Sequence, residues 1–406
     1  MAGPLSHIRV LDLSRILAGP WAGQILADLG ADVIHVERPG AGDDTRSWGP
    51  PYLKDRDGRN TREAGYYLAV NRGKRSITLD LGKPEGQRIV RDLAARSDIV
   101  LENFKVGTLA RFGLAYEDLK RVNPKLVYCS VTGFGQSGPR REQAAYDFMI
   151  QAMGGLMSVT GEADGKPGGG PQKVGVPIVD LMTGMYAAVA VLAALARREA
   201  SGEGEFIDIG MLDVGVAMLS NQAMNYLVSG EAPRRNGNAH PNVQPQDVFA
   251  CRDANIVLAV GNDGQFARFC EALGRPELAL DERFAKNQDR VRNRALLEPI
   301  ILAELGQRDR KDLIAALDRA GVPCGPINTI PEVFEDPQVK HRKVLIEIAH
   351  PQAGKVPLVA SPMRFKEAPL VHDRAPPLLG EHSIEILKEL NIDDARIAQL
   401  RADGIV

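Results

Sequence analysis

One carboxylate in this sequence, Asp180, has a setting that suits covalent chemistry. It stands between a strand-like stretch, VGVPIV, and a long apolar stretch that we expect to form a buried helix. Asp is a preferred N-cap residue, so capping of that helix is one interpretation. A nucleophile is the other, because the helix dipole and the free N–H groups of the first turn would keep the carboxylate ionised. The residues alone leave both interpretations open.

Cationic residues lie in loops that border predicted strands, namely Arg38, Arg72, Lys74, Arg75, Lys105 and Arg111. A diphosphate that carries a further ribose phosphate needs several cations around one cleft. Loops at the strand ends of a parallel sheet converge at one rim, so these side chains are candidates for a shared anion site. The alternative is that they are unrelated surface charges.

The first predicted strand–helix–strand unit has some features of a dinucleotide site. A helix that starts after a strand offers N–H groups to a phosphate, and Glu37 ends the second strand where a ribose partner would stand. However, the chain reads SRILAGPWAGQ after the first strand and lacks the GxGxxG fingerprint. The sequence therefore favours a scaffold without a bound nucleotide over an NAD site.

Two further residues are candidates for substrate contacts. Tyr146 would orient a bound acyl group through its hydroxyl, although a core or interface aromatic is the simpler interpretation. His240 lies in the loop-like stretch NGNAHPNVQP, where a solitary His is more often structural than catalytic. The sequence has no GxSxG or HExxH motif, and its four cysteines are far apart. These features argue against a serine hydrolase, a zinc hydrolase and any metal site.

The order of strand-like and helical stretches predicts an α/β fold. Alternating β and α signals recur through the first half of the chain, which is typical of a doubly wound, Rossmann-like parallel sheet. After residue 246 a hairpin-like pair and several helices predict a separate α+β domain. We therefore predict a large domain over residues 1–215, a linker over 216–245, a smaller domain over 246–335, and a return to the large domain over 336–406.

Composition limits the partners that we expect. Lys and Arg number 50 against 52 for Asp and Glu, so the formal net charge is −2 and gives no general attraction to nucleic acid or anionic membrane. The N-terminal stretch MAGPLSHIRVLDL lacks the pattern of a signal peptide, and the most apolar segment, 181–196, is too short to cross a bilayer. We expect a cytoplasmic protein that binds neither nucleic acid nor membrane.

Several long segments together resemble the class III coenzyme A transferase family, also called the CaiB/BaiF family. The resemblance covers nearly the whole chain and is carried by LAGPWAGQILADLGADVIHVERPGAGDDTR, NRGKRSITLDL, ENFKVGTLARFGL, SVTGFGQSGP, YDFMIQAMGGLMSVTG, VGVPIVDLMTGMYAA and AGVPCGPIN. Within the family, ERPGAGDDTRSWGPP and RAPPLLGEH are most similar to the succinate–hydroxymethylglutarate (glutarate) coenzyme A transferases. The resemblance implies transfer of coenzyme A from succinyl-CoA to glutarate or another dicarboxylate.

The resemblance also implies a site and an assembly. It implies an interlocked homodimer, coenzyme A as a substrate with no tightly bound cofactor, and Asp180 as the nucleophile that carries the covalent intermediate. Tyr146 and His240 become candidates for substrate binding. The coenzyme A contacts fall on Gln24 or the adjacent Ala18–Gly19 loop, Arg38, Arg72, Lys74, Asn103, Phe104 and Arg111.

Two departures from other family members bear on the substrate. Members that racemise 2-methylacyl thioesters carry a His where this chain has Tyr146, so the base for proton abstraction is absent. Formyl-transferring members have a run of glycines where this chain has His240, Pro241, Asn242 and Val243. Both differences favour acid-to-acid transfer with an acid larger than formate. A 2-methylacyl-CoA racemase and a non-catalytic coenzyme A binding protein are the alternatives.

Overall fold

Six parallel strands form the main sheet of the computed structural model, which describes residues 3–370 and 372–406. In chain order the strands are β1 (Arg9–Asp12), β2 (Asp32–Glu37), β3 (Tyr52–Lys54), β4 (Asn60–Ala64), β5 (Arg75–Thr78), β6 (Ile99–Glu102), β7 (Val127–Thr132), β8 (Glu205–Gly210), β9 (Gln246–Ala250), β10 (Asn255–Ala259), β11 (Cys324–Pro326), β12 (Leu345–His350) and β13 (Gly354–Val359). The main sheet has the order β5-β2-β1-β6-β7-β8. This is the doubly wound order, so the predicted α/β class with a parallel central sheet is confirmed.

The helices follow the predicted alternation with strands. They are α1 (Ala18–Asp28), α2 (Gly65–Leu68), α3 (Pro84–Ala94), α4 (Thr108–Arg111), α5 (Tyr116–Val122), α6 (Asp147–Met153), α7 (Leu156–Val159), α8 (Ile178–Ser201), α9 (Met211–Ala217), α10 (Ser220–Ser229), α11 (Asp263–Leu273), α12 (Glu277–Leu280), α13 (Asn287–Arg292), α14 (Arg294–Leu305), α15 (Arg310–Arg319), α16 (Ile330–Glu335), α17 (Pro337–His341), α18 (Ser383–Glu389) and α19 (Asp394–Ala402). Residues 44–47 form a short 3₁₀ turn.

The chain divides into two compact units. One contains Met1–Leu156, Val174–Ser220 and Pro337–Val406, and the other contains Met157–Lys173 and Asn221–Asp336. The second unit has its own antiparallel sheet of β9, β10 and β11, and its own apolar core. The stretch 216–245 that the sequence suggested as a linker includes helix α10, so it is not wholly irregular.

Both faces of the main sheet are covered by apolar cores. Strands β5, β6 and β7 are buried along their whole length, as expected for a parallel sheet between two helical layers. One core contains side chains of α3, α5, α18 and α19, and the other contains side chains of α1 and α8. The C-terminal helices therefore pack on the same sheet as the N-terminal strands.

Helix α1 begins earlier than the sequence suggested. We described Ala18–Gly19 as a loop, but these residues and Pro20 form the first turn of α1. Proline is compatible with that position because N–H groups of the first turn have no partner within the helix. Helix α1 approaches α8 closely at Gly184, where a Cβ atom would lie 2.5 Å from the carbonyl oxygen of Ala18.

Candidate active site

The strand order of the main sheet reverses between β1 and β6. Hydrogen bonds connect the loops that follow these two strands. The Asn103 side chain accepts a hydrogen bond from the backbone N–H of Arg15 at 3.0 Å and donates one to its carbonyl at 2.7 Å. Neighbouring strands whose connections leave in opposite directions open a crevice at their carboxyl ends. Asn103 therefore fixes the floor of the crevice at this switch point.

Asp180 lies in a cleft that opens at this switch point. The cleft is lined by residues that follow β1, β6 and β7, by part of the 141–146 loop and by α8, including Arg15, Asn103, Phe104, Lys105, Thr132, Arg141, Tyr146 and Asp180. Asp180 itself is 9% exposed. It is the third residue of α8 and not its N-cap, which is Pro177. The capping interpretation of Asp180 is therefore wrong.

The ionisation of Asp180 also differs from our expectation. Burial, together with the negative charge of Asp147, raises its pKa to about 7. We expected the helix N-terminus to keep the carboxylate fully ionised. The N–H groups of Val179 and Asp180 are bound to Asp147 instead, so they are not directed at the Asp180 side chain. A buried carboxylate that titrates near neutrality is a strong nucleophile once ionised.

Two tyrosines lie near this carboxylate. Tyr146 is the N-cap residue of α6, lines the cleft and is 60% exposed, so it is not a core aromatic. Burial and the charges of Asp180 and Asp147 raise the pKa of Tyr66 to about 12, which keeps its phenol protonated. The Tyr66 ring also packs edge-on against Trp48 at 5.1 Å between centroids. Tyr66 is thus close enough to Asp180 and Asp147 for their charges to act on its phenol, and no sequence pattern had singled it out.

A second cavity lies beside the cleft and shares two of its residues, Arg15 and Phe104. Its wall is mostly apolar, with Leu13, Val36, Leu79, Leu81 and Phe112, and it also includes the acidic residues Glu37, Asp43 and Asp80. Arg38 stands at its edge, with a mostly exposed guanidinium that forms an ion pair with Asp44 at 2.9 Å. The structure therefore brings Arg38, Asn103, Phe104, Tyr146 and Asp180 into adjoining spaces.

Three predicted coenzyme A contacts have other partners. The guanidinium of Arg72 is buried and forms a paired ion bridge with Asp28 at 2.6 and 2.9 Å. Lys74 is fully buried and bonds Asp12 and Asn71, both at 2.9 Å. Gln24 is buried between the carbonyl of Ala69 and the backbone N–H of Arg72. The polar groups of these three side chains are bound within the protein, so they stabilise the fold and we do not assign them to coenzyme A.

Arg46 is also buried. It forms ion pairs of 2.7 Å with Glu37 and with Glu63, and its guanidinium lies 3.7 Å from the ring centroid of Tyr67. Burial raises the pKa of Glu63 to about 7 even beside this cation. Because the Arg46 guanidinium is buried and paired with two carboxylates, it is not available to bind a substrate.

The remaining two predicted residues, Arg111 and His240, are not among the residues that line these two spaces. Arg111 is the exposed last residue of α4. His240 belongs to the second unit, where its Nδ1 accepts the N–H of Asn242 at 3.1 Å and its carbonyl accepts a bond from Arg294. Its role in substrate binding stays a prediction.

Sequence reasoning missed four residues of this region, Arg15, Tyr66, Asp147 and Gln151. Arg15 had a weak signal, since it follows a predicted strand as Arg38 does. Tyr66 had none, because the β3–β4 hairpin that precedes it was not predicted. Asp147 and Gln151 are four residues apart on α6, but a pair of this kind is common on helices and indicates no function by itself.

Across residues 3–370 and 372–406, His, Cys, Asp and Glu side chains form no group of three that is arranged to hold a metal ion. In the same residues one helix, α8, is long and apolar enough to cross a membrane, and half of its most apolar window is buried. A core helix of this length and composition passes the same test, and α8 packs in the sheet's apolar core.

Comparisons with known proteins agree on one family. The model of CoA-transferase family III matches residues 5–383. A protein of Agrobacterium fabrum named succinate–glutarate CoA-transferase is 50% identical over 387 residues, which are 95% of this chain and 96% of that protein. A human protein named succinyl-CoA:glutarate CoA-transferase is 42% identical over 404 residues, covering 99% of this chain and 90% of that protein. The crystal structure of a CaiB/BaiF family protein from Brucella suis is 50% identical, with a TM-score of 0.83 over 96% of this chain and all of that chain.

Proposed function

Because this chain belongs to CoA-transferase family III, we propose that it moves coenzyme A from succinyl-CoA to glutarate or a related dicarboxylate through an intermediate on Asp180. The observation that carries the proposal is the nearly buried Asp180 carboxylate at a cleft, with a pKa of about 7. The names of the Agrobacterium and human relatives support the choice of acids.

The proposed reaction retains the thioester energy by excluding water. The ionised Asp180 oxygen attacks the acyl carbon of the donor, the C–S bond breaks, and the thiolate leaves with the electron pair. Thiolate then attacks the aspartyl carbonyl of the mixed anhydride, which releases the donor acid and leaves an aspartyl thioester. The acceptor carboxylate repeats these steps in reverse. The low exposure of Asp180 supports this scheme, since a mixed anhydride or thioester formed on this side chain is shielded from water.

Donors other than the first turn of α8 must stabilise the tetrahedral oxyanions. The N–H groups of Val179 and Asp180 are bound to Asp147, and that of Leu181 is bound to Pro177. We propose the phenol of Tyr66 as one such donor, because burial and the nearby charges of Asp180 and Asp147 raise its pKa to about 12 and keep it protonated. A single well-placed donor of this kind is typically worth about 3 kcal/mol in the transition state.

We place the two ends of coenzyme A in the two adjoining spaces. The apolar cavity edged by Arg38 suits the adenine ring and its ribose phosphate, and the cleft suits the arm that carries the thioester. Phe104 lies at the junction, and Asn103 holds the loop beside it. Arg15, Arg38 and Lys105 are the cations that we assign to the phosphates, and Arg111 stays a further candidate.

The distal carboxylate of the acid needs a cation or several donors. Arg141 lines the cleft, and its guanidinium forms an ion pair with the neighbouring residue Glu142 at 3.4 Å. Both side chains of that pair are more than half exposed, so the pair holds Arg141 weakly. We therefore propose Arg141, with Tyr146, as the group that recognises the second carboxylate. His240 remains a further candidate.

We also propose a homodimer, cytoplasmic localisation, and the arrangement of a large Rossmann-like domain with a smaller α+β domain. Exposed large apolar side chains of the first unit support the dimer, among them Tyr146, Phe148, Val176, Met185, Tyr186 and Val189. They belong to α6, α8 and the segment before α8, and exposure of such a set is typical of an interface. Sedimentation velocity tests the assembly, and a monomer at micromolar concentration would contradict it.

The decisive experiment incubates the enzyme with succinyl-CoA and a panel of mono- and dicarboxylic acids and identifies new thioesters by mass. We expect glutaryl-CoA and related dicarboxylyl thioesters, and labelling of Asp180 when hydroxylamine is added. Turnover of monocarboxylates alone would contradict the substrate class. Exchange of the substrate α-hydrogen in D₂O without an acceptor acid would indicate a racemase. Binding of coenzyme A without turnover would indicate a non-catalytic protein.

A further inference from the structure

The first turn of α8 is capped by a residue from another helix. Asp147 opens α6, is 8% exposed, and accepts through Oδ2 the N–H groups of Val179 at 2.8 Å and Asp180 at 3.2 Å. The N-cap residue of α8 is Pro177, whose side chain has no acceptor atom. The backbone that carries Asp180 is therefore anchored by a carboxylate 33 residues earlier in the chain.

Gln151 holds this carboxylate and extends the connection. Its Nε2 donates to Oδ1 of Asp147 at 2.6 Å, and its Oε1 accepts the N–H of Val174 at 2.9 Å. Gln151 is 1% exposed, so water does not compete for these bonds. Asp147 thus accepts three hydrogen bonds, from Gln151, Val179 and Asp180. Both of its oxygens act as acceptors in these bonds. The negative charge of Asp147 is one of the two causes that raise the pKa of Asp180.

We propose that Asp147 is a positioning residue for the nucleophile, acting with Gln151 to fix the segment from Val174 to Asp180. This inference rests on the proposed transferase function. The first N–H groups of a helix have no partner within it, so an unanchored first turn would fray and move the Asp180 carboxylate. Displacement of a reacting group by about 1 Å is enough to cost 100-fold in rate.

The charge of Asp147 has a second consequence for the reaction. Two carboxylates face each other while Asp180 is ionised, and one of the two charges disappears when the Asp180 oxygen bonds to the acyl carbon and thiolate leaves. Repulsion from Asp147 therefore favours the acylated state of Asp180. The other ionisable groups around Asp180 are Tyr66 and Tyr146 and the cleft cations Arg15, Lys105 and Arg141. The cations act in the opposite direction and favour the ionised carboxylate.

The hydrogen-bond pattern allows a specific exchange experiment. In Asp147→Asn the new amide must place a donor either toward the N–H groups of α8 or toward Gln151. If the new donor points toward Gln151, the Gln151 amide must rotate so that its oxygen accepts it. The NH₂ group of Gln151 then faces the N–H of Val174, and two donors meet. In the double variant Asp147→Asn with Gln151→Glu every donor again has an acceptor. The negative charge is then on the side chain at position 151, which contacts residue 147 and not the first turn of α8, so it lies farther from Asp180. Asp393→Asn, at the N-cap of α19, is the matched control, because Asn is an equally good cap there.

We expect Asp147→Asn to lower kcat by about 100-fold and to speed deuterium exchange in residues 174–184. The double variant should restore slow exchange and much of kcat, while the acid limb of its kcat/KM profile moves to lower pH than in the wild type. A purely structural cap would not move that limb. If Asp147→Asn does not fold, the pH profile of the double variant decides alone.

Wild-type kcat and pH profile in Asp147→Asn would overturn the inference, as would a double variant that recovers neither exchange protection nor activity. An unshifted acid limb in an active double variant would overturn the role of the charge. These outcomes differ from failure of the proposed function, in which the wild type itself would not transfer coenzyme A. The exchange measurement does not depend on activity and tests the anchoring in either case.

Discussion

The side-chain amide of Asn103 bonds both backbone polar groups of Arg15, so the loops after β1 and β6 are held as one surface. Arg15 in turn places its guanidinium 5.9 Å from the ring centroid of Phe104 and forms an ion pair with Asp44 at 3.1 Å. Because Arg15 and Phe104 line both the cleft of Asp180 and the adjoining apolar cavity, this pair of bonds shapes both spaces.

We expect Asn103→Ala to weaken the binding of coenzyme A thioesters. Loss of two hydrogen bonds of ordinary strength, about 1 kcal/mol each, corresponds to a rise in KM of roughly 10-fold or more, with a smaller effect on kcat. Steady-state kinetics with succinyl-CoA measures it. Asn123→Ala is the control, since Asn123 also joins two segments through its amide, to Ala94 and Ser97, on residues that do not line the cleft. An unchanged KM in Asn103→Ala would contradict the role assigned to this loop contact.

The activity should require an ionised Asp180 and therefore fall as the pH drops below about 7. Measurement of kcat/KM between roughly pH 5 and 9 gives the acid limb directly. A limb near pH 4, the ordinary value for an aspartate, would contradict the raised pKa.

The same shift predicts an effect on stability. The folded-state pKa of Asp180 lies above its unfolded value of 3.8, so the folded state binds the proton more tightly. Its favourable contribution is present at low pH and is lost as the pH rises toward 7. Asp180→Asn should thus increase the free energy of unfolding at neutral pH by about 1 to 3 kcal/mol, and have less effect near pH 4. Urea unfolding at the two pH values measures this, and a variant destabilised equally at both would contradict it.

Arg38 and Arg72 were chosen from the same sequence pattern, and we expect their alanine variants to behave differently. Arg72→Ala leaves Asp28 buried without its cation, and we expect a loss of about 3 to 5 kcal/mol in the free energy of unfolding. Arg38 is mostly exposed, and Arg38→Ala should change that free energy by less than about 0.5 kcal/mol. Its effect should appear as a higher KM for the thioester. Equal stability losses in the two variants would show that the assignment by burial is wrong.

Arg46 and Arg141 provide a test of how the distal carboxylate is recognised. Arg46→Met should destabilise the fold through Glu37 and Glu63, and affect mono- and dicarboxylate acceptors alike. Arg141→Met should raise KM for glutarate selectively, with little change in thermal stability, because its side chain is exposed. Competition between glutarate and a monocarboxylate of equal length measures the selectivity. A selectivity change in Arg46→Met alone would reverse our assignment.

The sequence by itself determined the α/β class, because the alternation of strand and helix signals along the chain is a local property. Its motifs also determined the family, and they singled out Asp180. The start of α1 was less accurate, because its glycine and proline resemble a turn.

Only the tertiary structure decided which charges are available. Lys74 pairs with Asp12, 62 positions away, and Arg46 reaches Glu63 and the carbonyl of Pro377. Whether a cation faces a ligand or a buried carboxylate depends on such long-range contacts, and residue type and spacing carry no information about them. The pKa of Asp180 also depends on tertiary structure, since it is raised by burial and by Asp147, which is 33 residues away in the sequence. Local sequence thus selected Asp180 as the proposed nucleophile, and packing determined its burial and the hydrogen bonds of the helix turn that carries it.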